Sequence, residues 1–142
     1  MNNNLKEITI VLIAYKSAIK IKRFVKNIPS SVKILIIDNS KDHNLKKIFK
    51  NKKNVKIYFK KNEGYGSSIN YASKIIKTEY FLIVQPDVIG IKKTSLLSFY
   101  KYAKILKDKF AVIGPHFKNA SKRGHYQTSL KYKIKEIHNV HG

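Results

Sequence analysis

Ile8-Thr9-Ile10-Val11-Leu12-Ile13-Ala14 decides the fold. The stretch is a nearly continuous apolar, β-branched run without the polar alternation of a half-exposed strand, so it reads as a strand covered on both faces. Downstream, Ile21, Phe24, Val25 and Ile28 recur at helical spacing between Ser17 and Ile28, and Pro29 stops that helix. Val32 to Ile37 is a second buried strand, ending at Asp38-Asn39-Ser40. A short helix is expected from Asp42 to Asn51, a third strand from Val55 to Phe59, a helix from Ser67 to Lys77 and a fourth strand from Tyr80 to Val84. A longer helix follows from about Thr94 to Lys107. Phe110 to Ile113 reads as a short strand, and Tyr126 to Ile137 supplies one or two more. Strands alternating with helices predict an α/β domain, a mostly parallel sheet with helices on both faces.

The 142 residues suffice for one domain with a real core, and 43% of them are apolar. Cysteine is absent, which excludes disulfides, thiolate zinc sites, iron–sulfur clusters and cysteine nucleophiles. The formal net charge is +22, a value that invites nucleic acid or an anionic membrane as partner. Nearly all of that charge is Lys, however; Arg occurs only at Arg23 and Arg123, and the lysines run along the whole chain beside abundant Asn and Ile, the mixture that an AT-rich coding bias produces without any functional partner. Readers of bases and phosphates favour the planar fork of Arg, so nucleic acid is the least favoured partner. Contact with an anionic membrane surface remains open, since each nearby basic residue adds roughly 1 kcal/mol. No apolar run approaches the ~18–20 residues that span a bilayer, and Ile8 to Tyr15 is short for a signal peptide and follows Glu7. The expected location is the cytoplasm, with peripheral contact at the inner face of the membrane.

In parallel sheets of this kind ligands bind outside the carboxyl ends of the strands, which here are Tyr15–Ser17, Asp38–Ser40, Asn62–Gly66 and Gln85–Asp87. Two of the chain's eight carboxylates, Asp38 and Asp87, end apolar strands. A carboxylate at such a mouth accepts hydrogen bonds from a base or ribose, or ligates a hard cation; equally, it caps the turn that follows. Gly64 and Gly66 permit close approach of backbone to a ligand, but Gly64-Tyr65-Gly66-Ser67-Ser68-Ile69 lacks the third glycine of a dinucleotide fingerprint. His43, His116, His125, His138 and His141 show no metal-like spacing on one helix, and all but His141 read as surface or packing residues.

The order of these features is more specific than any one of them. Ala14-Tyr15-Lys16, then Ile36-Ile37-Asp38-Asn39-Ser40, then Asn62-Glu63-Gly64-Tyr65-Gly66-Ser67-Ser68-Ile69-Asn70, then Val84-Gln85-Pro86-Asp87-Val88 resembles the family 2 glycosyltransferases of GT-A fold, over about Ile8 to Gly114. The rhamnosyltransferase-like branch is the most similar, with its T-Y-N-like strand end, its N-x-G-[FY]-[GA]-x-x-x-N segment and its N-P-D-V turn. The resemblance implies a nucleotide-sugar donor, a dTDP- or UDP-sugar, transferred to a glycan or lipid-linked acceptor in cell-surface polysaccharide assembly. It places Ala14, Tyr15 and Lys16 along the base, with Asp38 accepting hydrogen bonds from that base beside Asn39. Asn62, Gly64, Tyr65, Gly66 and Asn70 then close over the nucleoside. Asp87 would bind the Mg²⁺ or Mn²⁺ that bridges the donor diphosphate. Gln85 stands where the pattern has Asn or Asp, and its amide still orients the sugar or a metal-bound water.

Family members continue after a V-x-G-like segment, matched here by Val140-His141-Gly142, into an acceptor-binding half that carries the general base. The resemblance therefore implies a single domain, residues 1–142, truncated before that half. Its catalytic base is unassigned, because Glu79, Asp108 and Glu136 lie in no motif suited to the role. The expected readings are a truncated or split gene product that a partner chain completes, a donor-binding half on its own, or a degenerate protein without catalysis, with a basic nucleic-acid-binding protein as the least favoured function.

Overall fold

The computed structural model describes residues 4–107. A 3-10 turn, Asn4–Glu7, leads into β1 (Ile8–Ala14), α1 (Ala18–Lys26), β2 (Lys33–Asp38), α2 (Asn44–Phe49), β3 (Val55–Phe59), α3 (Tyr65–Ile75), β4 (Tyr80–Val84) and α4 (Lys93–Leu106). All four strands are parallel, in the order β3-β2-β1-β4. Contacts divide the chain after Lys101: the first unit holds the whole of this sheet, and the second is described only over residues 102–107, the end of α4.

The central strands are buried as their composition requires. Every residue of β1 is buried, as is β2 from Ile34 to Asp38. Because side chains alternate across a strand, Ile10, Leu12, Ile34 and Ile36 face one layer and Val11, Ile13, Leu35 and Ile37 the other. The first set packs against Ile21, Phe24 and Val25 of α1, Leu45 and Phe49 of α2, and Leu96 of α4. The second lies against Ala72, Ile69 and Ile75 of α3. Fully burying each such Leu, Ile, Val or Phe contributes about 1.5–3 kcal/mol, and these two apolar layers are what hold the sheet's carboxyl edge in register.

The outer strands of the described sheet differ. Tyr80–Val84 is as apolar as β1, yet Phe81 and Ile83 are 41% and 38% exposed. They share a face with Thr9 and Val11, their register partners, but the cluster under α3 includes no residue of β4 among the described residues. Helix α3 begins two residues earlier than the periodicity suggests, because Gly64 takes φ +96° and turns the chain straight into Tyr65. Helix α2 is shorter than expected, six residues, and the expected strands beyond Lys107 lie outside the described residues. No helix among the described residues is long and apolar enough to cross a membrane.

Candidate functional site

The parallel arrangement sends all four strands to one edge, where their following loops meet. β1 and β2 are tied there by their own ends: Asn39 N–H donates to the Ala14 carbonyl at 2.9 Å, and Lys60 N–H donates to the Asp38 carbonyl at 2.9 Å, adding β3. The Asp38 carboxylate is fully buried and turned into its own loop. Oδ1 accepts from Ser40 N–H (3.0 Å) and Ser40 Oγ (2.6 Å), and Oδ2 accepts from Asp42 N–H (2.6 Å). Thus Asp38 shapes the turn that displays Asn39 and Ser40.

Asn39 is held in place by Ser68 of α3. Its Nδ2 donates to Ser68 Oγ at 2.8 Å, and Ser68 Oγ lies 3.0 Å from Asn39 Oδ1 and 3.2 Å from the Gly64 carbonyl. Ahead of α3, Lys60 pairs with Glu63, and Ser67 Oγ lies 3.2 Å from the same carboxylate. The hydrogen bond from Lys60, its charge, and the Ser67 hydroxyl hold the Glu63 carboxyl below its ordinary value. Burial pushes the Tyr65 hydroxyl up.

Lys16 has φ +49°, the left-handed region, which a side chain with a Cβ enters at a cost of about 1 kcal/mol. The conformation lets Lys16 N–H donate to Ser40 Oγ at 3.0 Å, fastening the first loop to the second. Asn tolerates this region better. Lys16→Asn is expected to raise stability by about 0.5 kcal/mol, or roughly 1–2 °C in Tm, by thermal melting. A fall in Tm would mean that the Lys16 ammonium, 5.6 Å from the Tyr15 ring centre, outweighs the strain.

A pocket of about 330 Å³ opens among these loops, within the ~300–1,000 Å³ usual for small-molecule sites. Ala14, Tyr15, Asn39, Asn62, Tyr65, Gln85 and Asp87 line it.

The model of glycosyl transferase family 2 matches residues 9–140. The chain belongs to glycosyl transferase family 2. Among solved structures it is similar to the crystal structure of S. aureus TarS 1-349, with 21% identity and a TM-score of 0.56, over 69% of this chain and 32% of that one. The match thus takes in about a third of that chain's length, and at this identity the likeness is one of fold. No curated protein matches the chain. The four-stranded parallel sheet with helices on both faces is that of a GT-A glycosyltransferase, as the sequence resemblance implies.

Of the site residues expected for a family 2 glycosyltransferase, the seven named above converge on the pocket, whereas Lys16, Asp38, Gly64, Gly66 and Asn70 do not line it. Lys16, Asp38 and Gly64 shape the loops around it. Gly66 lies in the first turn of α3, and Asn70 is exposed farther along that helix. Four lining residues are not among the expected site residues: Ile13 and Pro86, which flank expected ones, Ser17, the last residue of the Tyr15–Ser17 strand end, and Lys20, one lysine among many. For Ser17 and Lys20, the position directly after β1 is the available signal.

Proposed function

We propose that this pocket binds the nucleoside diphosphate sugar of a glycosyl transfer reaction, with the base near Asn39, Asn62 and Tyr65 and the diphosphate near Gln85 and Asp87. The observation that carries the reading is the meeting, in one pocket at the sheet's carboxyl edge, of side chains from all four strand ends. The exposed ring of Tyr15 offers a stacking face, and the amides of Asn39 and Asn62 offer both donors and acceptors to a base.

Asp87 fits a divalent cation. It is exposed in the pocket on the turn after β4, where Val88 N–H donates to the Gln85 carbonyl at 3.1 Å. No group of three His, Cys, Asp or Glu forms a ligand set among the described residues. One carboxylate completed by substrate phosphates and water is the donor set that Mg²⁺ and Mn²⁺ favour in phosphate sites. Bound there, the cation would offset negative charge on the departing diphosphate. In the inverting transfer proposed, the acceptor hydroxyl oxygen bonds to the anomeric carbon, the bond from that carbon to the diphosphate breaks, and the hydroxyl proton passes to a base. None of the pocket residues is assigned as that base. A glycan or lipid-linked acceptor, as in the rhamnosyltransferase-like branch, and contact of the lysine-rich surface with the inner face of an anionic membrane belong to the same reading.

Calorimetric titration with UDP- and dTDP-sugars in Mg²⁺ or Mn²⁺ is expected to show saturable binding. Absence of both heat and thermal shift at millimolar ligand, with a folded sample, would refute the assignment.

A further inference from the structure

We infer that the pocket holds a second, metal-independent anchor for the diphosphate, built from the first turn of α1: Ser17 Oγ, the free amides beside it, and the ammonium of Lys20. The inference rests on the nucleotide reading above and adds to it a site on the opposite side from Asp87.

Ser17 precedes α1 at the cap position, but its side chain makes no capping hydrogen bond. Its Oγ is shut off from solvent and has no hydrogen-bond partner, although Ser17 lines the pocket. A buried hydroxyl left unpaired costs about 1–3 kcal/mol, a cost that rotation of the Ser17 side chain toward a ligand oxygen in the pocket would remove. The first helical bond is Ile21 N–H to the Ser17 carbonyl, so the three preceding amides have no acceptor within the helix. No acidic residue in the first turn offsets the positive end of the helix. Lys20, on that turn, lines the same pocket and has no ion-pair partner among the described residues. Lys20 and Asp87 are the sole ammonium and carboxylate among the lining residues.

Strand order places this anchor. From β3 to β2 to β1 to β4 the edge runs from Asn62 and Tyr65, through Asn39, to Tyr15, Ser17 and Lys20, and then to Asp87. A nucleotide with its base at the β2–β3 end therefore brings its phosphates between α1 and Asp87. There the cation takes one side of the diphosphate and the α1 turn the other.

The test compares uridine and UDP on the full chain, in EDTA and in Mg²⁺. In EDTA the wild type should bind UDP about tenfold more tightly than uridine, and Lys20→Met should bring that ratio near one. Asp87→Asn should not lower the ratio in EDTA. Lys22→Met, an exposed lysine on the same helix outside the pocket, should leave it unchanged and controls for overall charge. Ser17→Asp separates anchor from cap: an acidic cap stabilises the helix, so Tm should rise while UDP affinity falls. A ratio near one in the wild type, or an unchanged ratio in Lys20→Met, overturns the anchor while the nucleotide reading stands. If uridine and UDP both fail to bind with or without Mg²⁺, the nucleotide reading fails instead. Inorganic pyrophosphate then decides the anchor: binding lost in Lys20→Met upholds it, and no binding overturns it.

Discussion

Asp87→Ala is expected to remove the whole Mg²⁺-dependent increment in nucleoside diphosphate affinity, leaving binding in EDTA no weaker than in the wild type. Asp87 is the one carboxylate at the pocket wall, and no neighbouring His, Cys, Asp or Glu forms a ligand group with it among the described residues. A cation between this residue and the diphosphate would lose its protein ligand and remain bound only as it is to free nucleotide in solution. Losing one charge-assisted contact costs about 1.5–3 kcal/mol, equivalent to roughly 10- to 150-fold in affinity. Titrations of UDP at fixed Mg²⁺ and in EDTA, on both forms, measure the increment directly. An increment that persists in the variant would move the cation elsewhere in the pocket.

Asp38→Ala should act by a different route. It removes the acceptor for Ser40 N–H, Ser40 Oγ and Asp42 N–H at a fully buried position and leaves a small void. Each orphaned donor costs about 1–3 kcal/mol, reduced where water reaches the turn, so a loss of roughly 3 kcal/mol is expected. That corresponds to a fall of about 10 °C in Tm for a chain of this size. UDP affinity should fall equally with and without Mg²⁺, because the displaced residue is Asn39, on the base side. Asp38→Asn should rescue little, since its amide can accept at one position but presents N–H to N–H at the other. A loss of affinity at unchanged Tm would instead put the Asp38 carboxylate in direct contact with the base, the role that the family resemblance implies.

That contrast shows where sequence is informative. Ile8–Ala14 is legible because a strand covered on both faces has no polar positions to spare, and Val55–Phe59 and Tyr80–Val84 are bounded by turn residues. The convergence of Tyr15, Asn39, Asn62, Gln85 and Asp87 follows from parallel topology once the strands are placed. What sequence leaves open is direction. Asp38 and Asp87 both end strands, yet one carboxylate turns inward to three donors and the other faces the pocket. Composition is equally mute about Phe81 and Ile83, which are partly exposed although they belong to a wholly apolar strand. Ser17 is one residue of the Tyr15–Ser17 strand end, and only its geometry shows an unpaired hydroxyl.

The hydrogen-bonded pair Asn39 and Ser68 joins the pocket to the helix that closes one side of the sheet. Asn39 belongs to the cavity wall, while Ser68 sits one turn from Ala72, the buried contact of α3 with β1 and β2. A ligand that fixes the Asn39 amide therefore also fixes Ser68, and anything that loosens α3 frees that amide. By thermodynamic reciprocity the two events share a single coupling energy. The stability of an entire packing layer thereby becomes a function of ligand concentration.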